Sequence, residues 1–210
     1  PLIVASARKL KRVLADEQND VLDALRRADA VSDIDALIPS LSDHAARYGE
    51  AITEELHAAA AAGAASVATG RAAKLRKAAV AEATASAMDV LEQWLVAPLR
   101  DRLERCVSEG GGDNEVITKK VRAAYREWKT KHIDEQLDDV LLCAHGRGVL
   151  AALPEGSEVA WVTDERHGAC ADCHDNSLAG AVAAGDEFPT GHTFAPAHPG
   201  CRCLLLPGDR

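Results

Sequence analysis

The sequence predicts an α+β chain: an elongated N-terminal α-helical region, residues 1–150, followed by a small domain of strands and loops, residues 151–210. Three observations predict it. Up to about residue 150 Gly and Pro are sparse while Ala, Leu, Glu, Arg and Lys, all good helix formers, dominate. At Pro154 Gly, Pro, Asp and His become frequent, and the apolar stretches shorten to strand length. Only seven residues are aromatic and much of the apolar content is alanine, so thin helical packing suits the chain better than one bulky core.

Within the helical region, Ser32-Asp33-Ile34-Asp35 resembles a capping box, with Pro39 soon after it. Ser40 or Ser42 then offers an N-cap for a helix running toward Gly63 or Gly70. From Arg71 a long helix is expected to reach Val107, with Leu91, Trp94, Leu95, Leu99, Leu103 and Cys106 on one face and a kink at Pro98. Gly110-Gly111-Gly112 stops it, since three glycines forfeit too much backbone entropy to stay helical. Asp113 or Asn114 caps the next helix, whose stripe of Ile117, Val121, Ala124, Trp128, Leu137, Val140, Leu141 and Ala144 has a gap near Lys131. Its end is expected near Gly146 or Gly148. The alanine-rich stretch from Ala58 to Ala87 lets helix axes approach closely. Long amphipathic helices with few bulky residues commonly complete their burial against a partner, so residues 1–150 are expected to carry most contacts to other molecules or to other copies.

The formal charge of −9 excludes a surface that tracks nucleic-acid phosphates throughout. Two local basic patches, Arg71, Lys74, Arg76 and Lys77, and Lys119, Lys120, Arg122, Arg126, Lys129 and Lys131, read as solvated helix faces. No apolar run approaches the roughly 20 residues that span a bilayer, so no membrane partner is expected. The first residues lack a basic-then-apolar signal pattern, and synthesis in the cytoplasm is the expectation.

In the C-terminal domain Val159–Thr163 and Cys203–Leu206 read as strands, with mostly loop between them. From Glu155 onward there are nine acids against Arg166, Arg202 and Arg210. So short and loop-rich a unit cannot easily stabilise itself by apolar burial alone. It contains Cys170-Ala-Asp-Cys173, whose two-residue gap lets a tight turn aim both thiolates at one ion, and then His198-Pro-Gly-Cys201-Arg-Cys203. Cys201 and Cys203 would face the same side of a strand, with His198 just upstream on a turn. Two such half-sites point to structural Zn²⁺, which makes the domain zinc-stapled. Five donors, Cys170, Cys173, His198, Cys201 and Cys203, compete for four positions; Cys170 and Cys173 are taken as members, and the remaining pair stays open. The competing readings are two disulfides or a redox-active CxxC; the former is disfavoured without an export signal and the latter lacks a βαβ context. Cys106 and Cys143 read as buried thiols on helix faces.

A cysteine-rich set is usually closed, whereas zinc catalysis needs an open position and a base, so no enzyme and no catalytic residues are predicted. The nucleobase-deaminase pattern fails because no His-x-Glu exists and Ala169, not Pro, precedes Cys170. The alternatives kept are a zinc-supported nuclease using His174, Asp175, Asn176, His192 and His198, and a nucleic-acid-binding adaptor. His167, His174 and His192 otherwise read as exposed or hydrogen-bonding loop histidines.

The order Ala144-His145-Gly146-Arg147, Trp161-Val162-Thr163, Cys170-x-x-Cys173, Gly180, Phe188-Pro189-x-Gly191 and Pro196-Ala-His198-Pro-x-Cys201-Arg-Cys203 resembles the phage Mu F-like minor head protein family, the phage head morphogenesis proteins. The resemblance covers about residues 118 to 207, and its proline-histidine-cysteine ending is the most specific part. It implies a minor capsid component of a tailed bacteriophage, a virion protein of the capsid interior at the portal vertex. Such a protein acts in head assembly or in DNA packaging and ejection. The implied partners are the portal protein, other copies of the chain and the major capsid protein, with contact to packaged DNA compatible with the role.

Overall fold

The computed structural model describes residues 1–67, 77–164, 166 and 168–208. Gly70, Arg71, Lys74 and Arg76, where an expected helix boundary and the first basic patch fall, lie outside the described residues, as do His167 and the side chain of Lys77. The chain is mostly helical, with a small three-stranded antiparallel sheet toward its C-terminus, which bears out the α+β expectation. The helices are α1 (Leu2–Arg27), α2 (Leu41–Ala51), α3 (Thr53–Val67), α4 (Lys77–Leu91), α5 (Ala97–Gly110), α6 (Asn114–Glu127), α7 (Ile133–Ala152) and α8 (Ala171–Leu178). The strands are β1 (Glu158–Val162), β2 (Ala181–Ala183) and β3 (Leu204–Pro207). None of the described helices is long and apolar enough to cross a membrane.

Two compact units alternate along the sequence: Pro1–Thr53 with Met88–Leu137, and Glu54–Ala87 with Asp138–Arg210. This division differs from a boundary near residue 150. Most of α3, α4 and α7 groups with the strand-and-loop residues; Gly63 and Gly148 bring the α3 and α7 backbones together, and Gly146 meets Ala195, contacts that no periodicity displays.

The first unit is built from local signals that the sequence carries. Ser40 caps α2 by accepting the N–H of Asp43, and Asp113 caps α6 by accepting those of Glu115 and Val116. Asn114 instead closes the end of α1: its Nδ2 donates to the carbonyls of Leu25 and Ala28, and its Oδ1 accepts from Val31 N–H. Gly111 ends α5 in the left-handed region, φ 57°. The Ser32–Asp35 segment makes one turn of 3₁₀ helix, Ile34–Ala36, capped by Asp33. The helix expected from Ser40 to Gly63 breaks at buried Ile52, φ −120°, where the hydroxyl of Thr53 bonds back to Gly49 O and α3 begins.

The kink expected at Pro98 is a π-helical turn, Glu92–Val96. Pro98 has no N–H for the carbonyl four residues back, and the chain widens just before it, with Ala97 N–H donating to Glu92 O. Leu95 O, inside that turn, accepts the indole N–H of Trp128 at 3.1 Å. A second π turn, Trp128–His132, lies where the apolar stripe shows its gap. The wider turn advances the register, so that Trp128, Ile133 and Leu137 are all buried. Leu91, Leu95, Leu99, Leu103, Val121 and Leu141 are buried as well, and Trp94 is half-buried. The stripes expected to need a partner are therefore covered within the chain, a correction to that reasoning.

Glu17 of α1 is 1% exposed and sits among α2 and α6 side chains. Tyr125 donates to its Oε1 at 2.8 Å, and His44 Nε2 lies 2.8 Å from its Oε2. Burial first, and the Glu17 carboxylate second, push both Tyr48 and Tyr125 above the ordinary phenol range.

In the second unit α3 and α7 cross with their backbones in contact. A Cβ on Gly63 would lie 1.9 Å from His145 O, and one on Gly148 would lie 1.9 Å from Ala60 O. Gly63, Gly146 and Gly148, read as helix ends, are all interior to helices, and α7 continues to Ala152. The alanine-rich stretch does serve close approach: Ala60 and Ala64 are buried on α3, and Ala83 and Ala87 on α4.

The sheet has the order β2-β1-β3, with Trp161 opposite Leu205 and Val159 opposite Val182. Val159, Trp161 and Leu205 point to a core completed by Phe188, Ala195 and three cysteines. Two of these strands match the expected ones within a residue, but β2 and α8 occupy a segment read as mostly loop. Three residues of Ala-Val-Ala carry no strand pattern, and α8 begins on a cap that is not a usual capping residue.

Candidate metal centre

That cap is Cys170. Its Sγ accepts the backbone N–H of Cys173 at 3.4 Å, so the Cys-x-x-Cys turn is the first turn of α8. The same contact, first among the causes, holds the Cys170 thiol below its ordinary range. Cys170 is exposed and Cys173 buried, so the pair reaches from solvent to the core.

The second half-site approaches from the loop before β3. His198 Nε2 lies 3.1 Å from Cys170 Sγ and 3.7 Å from Cys173 Sγ. Its other ring nitrogen, Nδ1, is 2.9 Å from Pro199 O; that bond places the proton on Nδ1 and leaves the Nε2 lone pair aimed at the sulfurs. The Pro199 contact is also the leading cause raising the His198 pKa. Cys173 Sγ is 3.6 Å from Cys201 Sγ. Cys201 and Cys203 are buried on either side of half-exposed Arg202, so both point inward as expected, although the strand itself begins only at Leu204. Burial, first among its causes, pushes the Cys173 thiol up, and it does the same to Cys203.

Donor atoms converge in two overlapping groups, Cys170, Cys173 and His198, and Cys173, Cys201 and Cys203, with the atoms of each group within 4.8 Å of one another. Cys173 belongs to both. All five predicted donors thus meet in one place, and the set can hold a metal ion. Its chemistry fits one: crowded buried thiols resist ionisation, and a bound cation reverses that preference. Among the described residues no cysteine is in a disulfide, and 3.6 Å between Cys173 and Cys201 is far beyond the roughly 2.05 Å of an S–S bond.

The other candidates are not drawn into the cluster. His174 and Asp175 are exposed on α8. Buried Asn176 accepts the N–H and hydroxyl of Thr190, whose Oγ1 is 2.8 Å from His192 Nδ1. This chain ties α8 to the loop after β2. Cys106 and Cys143 are buried on helices, as read.

Sequence reasoning missed how α7 supports the centre. Gly146 faces Ala195 O at 2.7 Å from where a Cβ would stand, and the Arg147 guanidinium lies 3.6 Å over the Phe194 ring. Trp161 and Phe188 meet edge to face with centroids 5.2 Å apart. The signal available was Ala144-His145-Gly146-Arg147 at the start of the resemblance, but its spatial meaning was not. Comparison with protein-family models, with curated proteins and with solved structures finds no match for this chain.

Proposed function

We propose that the metal is zinc, held structurally, and that the chain is a minor head protein of a tailed bacteriophage acting at the portal vertex in head assembly or in DNA packaging and ejection. The zinc reading is supported by distance. A tetrahedral ion with bonds of about 2.3 Å to sulfur and about 2.1 Å to nitrogen places neighbouring sulfurs about 3.8 Å apart and sulfur and nitrogen about 3.6 Å apart. Cys173 stands 3.6 Å from Cys201 and 3.7 Å from His198 Nε2, while Cys170 Sγ, 3.1 Å from the same nitrogen, stands closer than that geometry sets. With zinc bound, Cys170, Cys173 and His198 join α8 to the loop before β3, and the ion supplies folding free energy that a small core lacks.

The observation that carries the head-protein reading is that the residues of the resemblance are neighbours in space: Gly146 and Arg147 meet Ala195 and Phe194, while Trp161, Phe188 and the cysteines share one core. A motif order spread over the sequence thus corresponds to one structural unit, as a shared module would require. The role follows from the resemblance, with the portal protein, other copies and the major capsid protein as partners and the virion as the location.

The test is to place the chain in particles. Mass spectrometry of purified heads from the phage that encodes it, and co-purification with that phage's portal protein, are expected to find it in few copies per head. Absence from both heads and portal complexes would overturn the reading. DNA cleavage by the pure protein that disappears in His192→Ala would favour the nuclease alternative instead.

A further inference from the structure

The loop that presents His198, Cys201 and Cys203 has no ladder of its own, since β3 begins after it. Its hold comes from α7. Asp139 is 1% exposed, and its Oδ2 accepts the N–H of Gly200 at 2.8 Å. Its Oδ1 accepts from Arg202 Nη1, which also donates to Cys201 O at 3.0 Å. Arg202 Nη2 lies 3.3 Å from Asp138 Oδ2 at the rim. One buried carboxylate is therefore bonded to the residue before Cys201 and to the residue after it. Upstream, Ala195 and Phe194 are seated on Gly146 and Arg147 of the same helix. His198 and Cys201 hang between these two anchorages.

We propose that Asp139 is a positioning residue of the metal centre, acting through Gly200 N–H and Arg202 to set where Cys201 Sγ and His198 Nε2 stand. The inference rests on the metal-centre reading above. A buried carboxylate is costly unless hydrogen-bonded, and both oxygens of Asp139 are bonded to this loop. A charged acceptor here does two things that a neutral one cannot: it holds Arg202 in place beside the cysteines, and it makes a short, directional bond to the backbone turn that aims Cys201. Groups bonded to the carriers of metal ligands, like those bonded to the ligands themselves, act on affinity by restricting ligand orientation.

The experiment uses the full chain. Zn²⁺ dissociation constants, by competition with a chromogenic chelator, and the Co²⁺ ligand-field spectrum are measured for the unchanged protein, Asp139→Asn, Arg202→Gln and the double variant. Asp139→Asn is expected to weaken Zn²⁺ binding by about 10- to 100-fold and to shift the Co²⁺ bands. The thermal unfolding of the metal-stripped protein is expected to change little. Arg202→Gln leaves Gly200 bonded to Asp139 and is expected to weaken binding less, which keeps the idea testable if Asp139→Asn fails to fold. The double variant, with a neutral pair, is expected to recover part of the loss. Unchanged affinity and spectrum in Asp139→Asn, or in Arg202→Gln should the former not fold, would overturn the inference. So would a fall in metal-free stability with affinity intact. If the unchanged protein itself binds no metal, it is the metal-centre reading that fails.

Discussion

A Cβ on Gly148 would stand 1.9 Å from the carbonyl oxygen of Ala60, a separation that no side chain can tolerate without moving one helix. The same holds at Gly63 against His145 O. In an exposed helix Gly→Ala gains about 0.5–1 kcal/mol from backbone entropy. Here overpacking reverses the sign, and Gly148→Ala and Gly63→Ala are each expected to destabilise by about 1–3 kcal/mol or more. Gly49→Ala, whose Cβ would have Met88 side-chain atoms at 3.4 Å as its nearest neighbours, is the control and is expected to be near neutral. Chemical denaturation of the three variants checks the ordering; a neutral Gly148→Ala would mean that the crossing is looser than described.

Metal content is the next measurable consequence. Protein purified without added metal is expected to carry about one zinc per chain. Cys173 belongs to both donor groups, so Cys173→Ser is expected to lose the ion and much of the structure of the C-terminal residues, given that structural zinc contributes on the order of ten kcal/mol in small fingers. Cys106→Ser, on α5 of the other unit, is expected to keep its zinc. Elemental analysis decides; no metal together with two disulfides by mass would refute the assignment.

Alkali probes the Glu17 cluster. The chain has two tyrosines, and both have phenols raised above the usual range of about 10, chiefly by burial. The folded form keeps these protons where the unfolded chain loses them, so their contribution to stability is intact below about pH 10 and is lost as pH rises beyond it. No tyrosinate absorption at about 295 nm is expected before circular dichroism reports unfolding. Early titration of either ring would contradict its burial. Tyr125→Phe removes the donor to Glu17 Oε1 and is expected to cost about 1–3 kcal/mol.

Leu95 and Leu99 are fully buried, and their replacement is a test of folding rather than of partner contact. Leu95→Asp with Leu99→Asp is expected to unfold the first unit, since each change combines a lost core side chain with a buried carboxylate. Trp128→Phe is milder: it leaves Leu95 O without the indole N–H and is expected to cost about 1–3 kcal/mol. A double aspartate variant that stays folded, judged by circular dichroism and its melting curve, would restore the idea that this stripe faces a partner.

What could be read from the residues was whatever acts over one or two turns. Ser40 and Asp113 cap helices because a side-chain oxygen three residues from an orphan N–H finds it in any context, and Gly111 ends α5 because its left-handed φ suits glycine. The Cys-x-x-Cys turn and the His-x-x-Cys-x-Cys ending showed their donors by spacing alone, and the structure brings all five together. The gap near Lys131 was visible as a break in the stripe, though not as a π turn.

Tertiary structure decided the meaning of the remaining signals. Gly63, Gly146 and Gly148 read as helix ends because glycine is a local breaker, yet each is kept for a backbone that arrives from elsewhere in the sequence. Cys170 caps α8 with a sulfur that no capping preference picks out, and Asp139 looks like one more acid on a charged helix face until Gly200 and Arg202 fold onto it. Periodicity and caps are properties of one segment and survive in its sequence. Close approach and buried pairing are properties of two segments, and a single chain's residues do not record which two will meet.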